Sequence, residues 1–273
     1  MKKIILITDA GVGKDGWYHV GDEAVFWSLY QRIRSDTPDV QITIFARSDI
    51  NKKIIGATII DSASFFDNKT NFVLSKIFPL LKIKPLRFII LLFFPQYKNI
   101  FHEIKSNDYI VVSGGGNLNS RFRNFIFNRF IIVLFAQILN KKIYFAPQTI
   151  GPLFYKKDFY YIKYIAKNVA FLQVRDDSSL DMVKLFNNEG KIIKTLDDAF
   201  RMKYDKQLSL VKKAKFNVAI SLRDWDTENT ISAVGYFIKF ITAIHSDIHF
   251  YIIPHIFDDN NLGDIEITKT LLK

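Results

Sequence analysis

The sequence predicts an α/β protein of doubly wound, mainly parallel sheets, built as two Rossmann-like domains with the second incomplete. Three observations predict it. Short apolar runs alternate with longer amphipathic stretches, the pattern of βα units. Several runs are continuously apolar or β-branched, as strands buried on both faces of a parallel sheet must be. Glycine-rich turns follow two of them, at the carboxyl ends where open α/β sheets bind ligands.

The strands are expected, in order, at Lys3–Thr8, Gln41–Phe45, Tyr109–Ser113, Lys142–Ala146, Ala170–Val174 and Lys191–Leu196, then at Phe216–Ser221 and Ile248–Pro254. Helices at Asp22–Ser35, Phe122–Leu139, Asp158–Asn168, Ser178–Phe186 and Thr230–Ser246 fill the gaps. The polar, non-periodic stretch Met202–Lys215 reads as a linker, placing the first domain at 1–201 and the second at 216–273. About two strands and two helices remain for the second domain, fewer than an open sheet needs to bury its faces. Its exposed apolar surface is expected to drive either pairing with another chain, as in a homo-oligomer, or poor solubility.

With 49% hydrophobic and 24% charged residues the chain is globular, not disordered. Its 26 phenylalanines point to an aromatic core. There is no cysteine, which excludes disulfides, thiolate nucleophiles and Cys-type zinc sites. The basic start and Ile4-Ile5-Leu6-Ile7 mimic a signal peptide, but the run is short and meets Asp9 at once. It reads as a strand, and the expected location is cytoplasmic. The net charge of +11 favours anionic partners. The cations are dispersed and no nucleic-acid motif is present, so nucleic acid is not an expected partner.

Segment 71–101 combines Lys76, Lys82, Lys84 and Arg87 with Pro85-Leu-Arg-Phe-Ile-Ile-Leu-Leu-Phe-Phe-Pro95. Prolines interrupt it, and it is too short to span a bilayer. Two readings stay open: a helix covering the sheet, which a doubly wound fold requires, and a basic aromatic segment resting on the inner face of the membrane.

Gly11-Val-Gly13-Lys-Asp-Gly16 has the form of a dinucleotide fingerprint. No helix opens within those glycines, however, and Phe45-Ala46-Arg47-Ser48 supplies no acid for a ribose. Gly21-Asp22-Glu23-Ala24 puts two carboxylates at a helix start, suited either to capping or to orienting and deprotonating a hydroxyl. Ser113-Gly114-Gly115-Gly116-Asn117 follows a strongly apolar strand, and three glycines there suit close approach of the backbone to a ligand. Arg175-Asp176-Asp177-Ser178 reads as an anion contact or as a helix cap through Asp177 or Ser178.

Taken in order, these features resemble the polysaccharide pyruvyl transferase family. The family's motifs are matched by Gly21-Asp22-Glu23-Ala24, Gly114-Gly115-Gly116, Gln148-Thr149-Ile150-Gly151-Pro152, Arg175-Asp176-Asp177-Ser178, Asp197-Asp198-Ala199-Phe200 and Ser221-Leu222-Arg223. His19 stands where an asparagine often precedes the first motif. The likeness runs to about residue 260. The family's Arg-x-His-Gly element, in the rest of the second domain, is not found here.

The resemblance implies a GT-B-like fold. It implies transfer of a pyruvyl group from phosphoenolpyruvate, a co-substrate, to a sugar of a cell-surface polysaccharide or its lipid-linked precursor, with no further cofactor. Asp22, Glu23 and His255 are the expected catalytic groups. Arg223, Arg175 and Gly114, Gly115 and Gly116 would hold the donor, with Gln148, Asn117 and His19 on the acceptor. Guanidinium suits the donor's carboxylate and phosphate bidentately. His255 with Asp258 and Asp259 lacks a fixed ligand geometry, so no metal is expected. Asp22, the triple glycine and Arg223 are expected to share one anion-holding cavity. The rival functions are a glycosyltransferase using a nucleotide sugar and a non-catalytic homologue that binds glycan precursors.

Overall fold

A computed structural model describes residues 1–12, 18–47, 57–61, 68–186, 191–202, 214–222, 227–257 and 264. The chain forms two compact units. One contains Met1–Ala10 and Asp22–Met202, the other Gly11–Gly21 and Lys203–Lys273.

In the first unit the strands are β1 (Lys3–Ile7), β3 (Gln41–Ala46), β4 (Thr58–Asp61), β5 (Tyr109–Val112), β6 (Gly115–Leu118), β7 (Lys142–Ile150), β8 (Phe171–Val174) and β9 (Ile192–Lys194). They form one sheet in the order β4-β3-β1-β5-β7-β8-β9, with β6 paired to β7. Every pairing in it is parallel. The chain starts at β1, winds outward through β3 and β4, and returns to β5 on the other side of β1. That reversal is a topological switch point, and open α/β sheets bind ligands in a crevice at the strands' carboxyl ends beside such a point.

Both faces are covered, and the side chains of β1 show it by alternating. Leu6 packs with Phe26 and Leu29 of α1 (Val20–Asp36). Ile5 and Ile7 face the larger cluster built on α4 (Pro95–Ser106), α5 (Arg123–Ile138) and α6 (Lys156–Asn168). Helix α5 is buried from Ile126 to Ala136, and the phenylalanine excess gathers around it: Phe130 meets Phe78, Phe127, Tyr161 and Tyr164.

Segment 71–101 becomes α2 (Asn68–Ile77), a 3-10 turn at Phe78–Lys82, α3 (Lys84–Phe93) and the start of α4. Pro79, Pro85 and Pro95 sit at the first positions of the last three, where a missing N–H is harmless. Tyr97, Ile100 and Ile104 of α4 are buried toward the sheet, so this part provides the cover a doubly wound fold requires.

The second unit pairs β10 (Phe216–Ser221) with β11 (Ile248–Ile253) in parallel, joined by α8 (Thr227–Ile244). In it β2 (Tyr18–His19) also pairs antiparallel with β12 (Ile256–Phe257). Tyr236, Phe240 and Ile244 of α8 are largely exposed.

Three local expectations are corrected. Strand β7 runs on to Ile150, so Gln148 and Thr149 are strand residues and not loop residues. Only Gly114 of the three glycines occupies a turn, because Gly115 and Gly116 begin β6 against the extended end of β7. The cap of α7 (Asp177–Lys184) is Asp176, whose carboxylate accepts from Ser179 N–H; it is neither Asp177 nor Ser178.

Candidate active site

The switch point of the first unit lies beyond the carboxyl ends of β1 and β5. Asp9 follows β1, and both its oxygens accept from Arg129 Nη2 at 2.8 Å. Asn117 of β6 donates to Asp9 Oδ2 at 2.9 Å. Asp9 and Arg129 are both nearly buried, so each neutralises a charge that would otherwise stand unpaired in the interior. Two buried polar atoms here, Arg129 Nη1 and Ser113 Oγ at the carboxyl end of β5, have no partner among the described residues. Buried polar groups rarely stay unpaired, and a bound group completes such a pattern.

Arg175, after β8, forms the second cluster. Its Nε donates to Thr149 Oγ1 at 2.6 Å, and Nη1 donates to Asp197, which follows β9. Thr149 in turn donates to Asp176 Oδ2 at 2.9 Å. Burial works against the charge of Asp176. The hydrogen bonds from Ser179 and Thr149, with Arg175 nearby, outweigh it and lower its pKa.

Asp22, in the first turn of α1, feels both clusters. Burial first, and then the charge of Asp9, raise its pKa from the ordinary 3.8 to about 7, against the opposing pull of Arg47, Arg175 and Arg129. A carboxyl so tuned exchanges its proton near neutrality, the property general acid–base catalysis needs. Glu23, the next residue, accepts from Trp27 Nε1 at 2.8 Å, one helical turn along.

The glycines divide by role. A Cβ at Gly114 would lie 2.6 Å from the carbonyl oxygen of Pro147, so the close approach of two strands requires glycine there. A Cβ at Gly115 would meet nothing within 4 Å, whereas one at Gly116 would lie 3.4 Å from Arg175 Nη2. Gln148 is buried, and its amide donates to the carbonyls of Ser113 and Ala146, bracing the turn after β5. The structure thus brings Asp22, Gly116, Asn117 and Arg175 to one edge of the first unit.

His19 and His255 belong to the second unit. His19 is in β2, and a Cβ on Gly21 would strike its ring at 2.7 Å. The backbone N–H of His255 donates to Asp264, and its carbonyl accepts from Val20 N–H. Arg223, Asp258 and Asp259 lie outside the described residues. Among the described residues no group of three metal-ligating side chains occurs.

Sequence reasoning did not select Asp9, Arg47 or Arg129, and it quoted Asp197 only within a motif, without a role. Arg129 carried a readable signal: it is the sole charge in the apolar run 124–139, and such a residue is buried only when paired.

The model of the family described as polysaccharide pyruvyl transferase matches residues 19–272. No curated protein matches the chain. Among solved structures, a protein from Listeria monocytogenes assigned as a UDP-N-acetylglucosamine 2-epimerase is similar, with a TM-score of 0.60 and 10% identity. That match covers 99% of this chain and 66% of that one. A co-structure of S. aureus MnaA with UDP matches with a TM-score of 0.58 and 10% identity, covering 100% of this chain and 66% of that one. The chain therefore spans just under two thirds of these neighbours, and at such identity the likeness is one of fold, α/β of the GT-B-like class.

Proposed function

We propose, from the premise that the chain belongs to the polysaccharide pyruvyl transferase family, that it takes part in moving a pyruvyl group from phosphoenolpyruvate to a sugar of a surface polysaccharide or its lipid-linked precursor. The observation that carries this reading is Asp22, a carboxyl poised near neutrality amid Arg47, Arg175 and Arg129 at the switch point.

In the proposed reaction Asp22, protonated, gives its proton to the methylene carbon of the donor, leaving C2 cationic. A sugar hydroxyl attacks C2 and its proton returns to Asp22. The C2–O bond to phosphate then breaks, a second hydroxyl closes the ketal, and its proton leaves with inorganic phosphate. The guanidinium groups favour the donor's carboxylate and phosphate throughout. Arg175 is the strongest candidate among the described residues, because Thr149 and Asp197 hold its plane fixed. Arg223 retains its proposed role as a second clamp, and Asn117 and His19 theirs as acceptor contacts. The reaction as written needs no metal or organic cofactor.

The test is acceptor-dependent phosphate release from phosphoenolpyruvate by the folded chain. Asp22→Asn is expected to abolish it and Arg223→Ala to weaken it at least tenfold. Wild-type release from both variants would overturn the assignment. The likeness to the UDP-bound MnaA structure motivates a second reading, a transferase for a nucleotide sugar. Tighter calorimetric binding of UDP than of phosphoenolpyruvate would favour it.

A further inference from the structure

Helix α3 carries an outer face that none of the described residues of the first unit covers. Phe88, Ile89, Leu92 and Phe93 are 68%, 49%, 52% and 77% exposed, while Ile90 and Leu91 are buried. At 100° per residue the four exposed side chains form one stripe and the two buried ones face the other way. Ile83 and Leu80, just before the helix, extend the exposed apolar surface. Isolated exposed hydrophobics are ordinary, but a contiguous stripe ending in two aromatic rings is the signature of an interaction surface.

The charge along the segment that carries the stripe is of one sign. Between Asp67 and Glu103 there is no Asp or Glu, and there are six Lys or Arg. Lys76, Lys82, Lys84 and Lys98 are exposed. Arg87 turns inward, donating to Leu81 O at 3.1 Å with its guanidinium 5.5 Å from the Phe101 ring. It fixes α3 on the body of the unit and leaves the lysines as the outward charges. Lys82 Nζ lies 5.7 Å from the Tyr164 ring, which ties the 3-10 turn before α3 to α6.

We propose that the outer face of α3, with the lysines that flank it, docks the protein peripherally on an anionic lipid surface. A lipid interface accepts apolar side chains a few ångströms deep and attracts cations at its headgroups, the two chemistries this helix presents together. A second copy of the chain is a poorer occupant, because pairing α3 against itself would oppose two acid-free basic segments. Among the described residues no helix is long and apolar enough to cross a membrane. This inference is independent of the reaction proposed above.

The test is co-sedimentation of the full chain with vesicles of phosphatidylglycerol and phosphatidylcholine, beside vesicles of phosphatidylcholine alone. Binding to the anionic vesicles is expected, weakening as salt rises. The exposed-site variant Phe88→Ser/Phe93→Ser should bind at least tenfold more weakly. Lys82→Gln and Lys84→Gln should each weaken binding about fivefold, as expected for one charge at an anionic surface. Wild-type protein that remains in the supernatant at low salt overturns the proposal, as does undiminished binding by all three variants. Self-association that Phe88→Ser/Phe93→Ser abolishes, without vesicle binding by the wild type, would assign the stripe to a second copy instead.

Discussion

Replacing Asp22 by asparagine removes a charge while keeping the shape of the side chain, so the cost of holding that charge at the crevice becomes measurable. The rise of the carboxyl from 3.8 to about 7 corresponds to roughly 4 kcal/mol at ~1.4 kcal/mol per tenfold change in proton affinity. Asp22 keeps partial contact with solvent, which reduces the expected effect to about 2 kcal/mol. The sign follows from which form the fold prefers. A carboxyl raised in the folded state prefers its proton there, so its contribution is intact below about pH 4 and is lost as pH rises to about 7. Asp22→Asn should therefore match the wild type at pH 4 and be more stable above pH 7. At roughly 2–4 °C per kcal/mol for a unit of this size, the gain in melting temperature at pH 8 is about 4–8 °C. Thermal unfolding followed by circular dichroism at both pH values gives the answer. A variant that is less stable at pH 8, or whose difference from wild type does not change with pH, refutes the placement of Asp22 in a burying, acid-flanked site. Stabilisation together with loss of phosphate release would mark Asp22 as a group held at a thermodynamic cost for chemistry.

Arg129→Met should destabilise by about 3–5 kcal/mol, since it leaves Asp9 charged and nearly buried without its partner. Adding Asp9→Asn should recover part of that loss in denaturant titration, because the two residues act as one unit. Gly114→Ala should cost about 1–3 kcal/mol, read in the same titration, because its new Cβ meets a backbone oxygen of β7 and not a movable side chain. Arg175→Lys should raise the KM for phosphoenolpyruvate at least tenfold, since an ammonium cannot reproduce the fork held by Thr149 and Asp197. The rate of phosphate release should fall as pH rises above about 7, where Asp22 loses the proton it donates.

Much of the first unit was legible because its strands have local causes. Ile4–Ile7, Ile42–Phe45 and Ile110–Val112 are runs that only a doubly covered parallel strand explains, and each lies within a strand of the sheet. Helix α5 was equally plain, as an apolar stretch without a glycine or proline. Strand β6 was not, because Gly-Gly-Asn has poor strand propensity and is extended only where β7 supplies an edge to pair with. The short pair of β2 and β12 was also unreadable, since its partners lie more than two hundred residues apart.

The crevice divides the same way. Asp22, Asn117 and Arg175 stand in motifs that follow strands, so their arrival at a carboxyl edge was determined by the chain's own alternation of βα units. Asp9 and Arg129 stand in no motif, and the motif that Asp197 opens does not show what it faces. Arg129 meets Asp9 across 120 residues, and Asp197 meets Arg175 only because β9 lies beside β8. The proton affinity of Asp22 likewise depends on burial and on four charged groups that folding brings near it. Local pattern is written in neighbouring residues, whereas an electrostatic environment is a sum over groups that only the tertiary fold brings together.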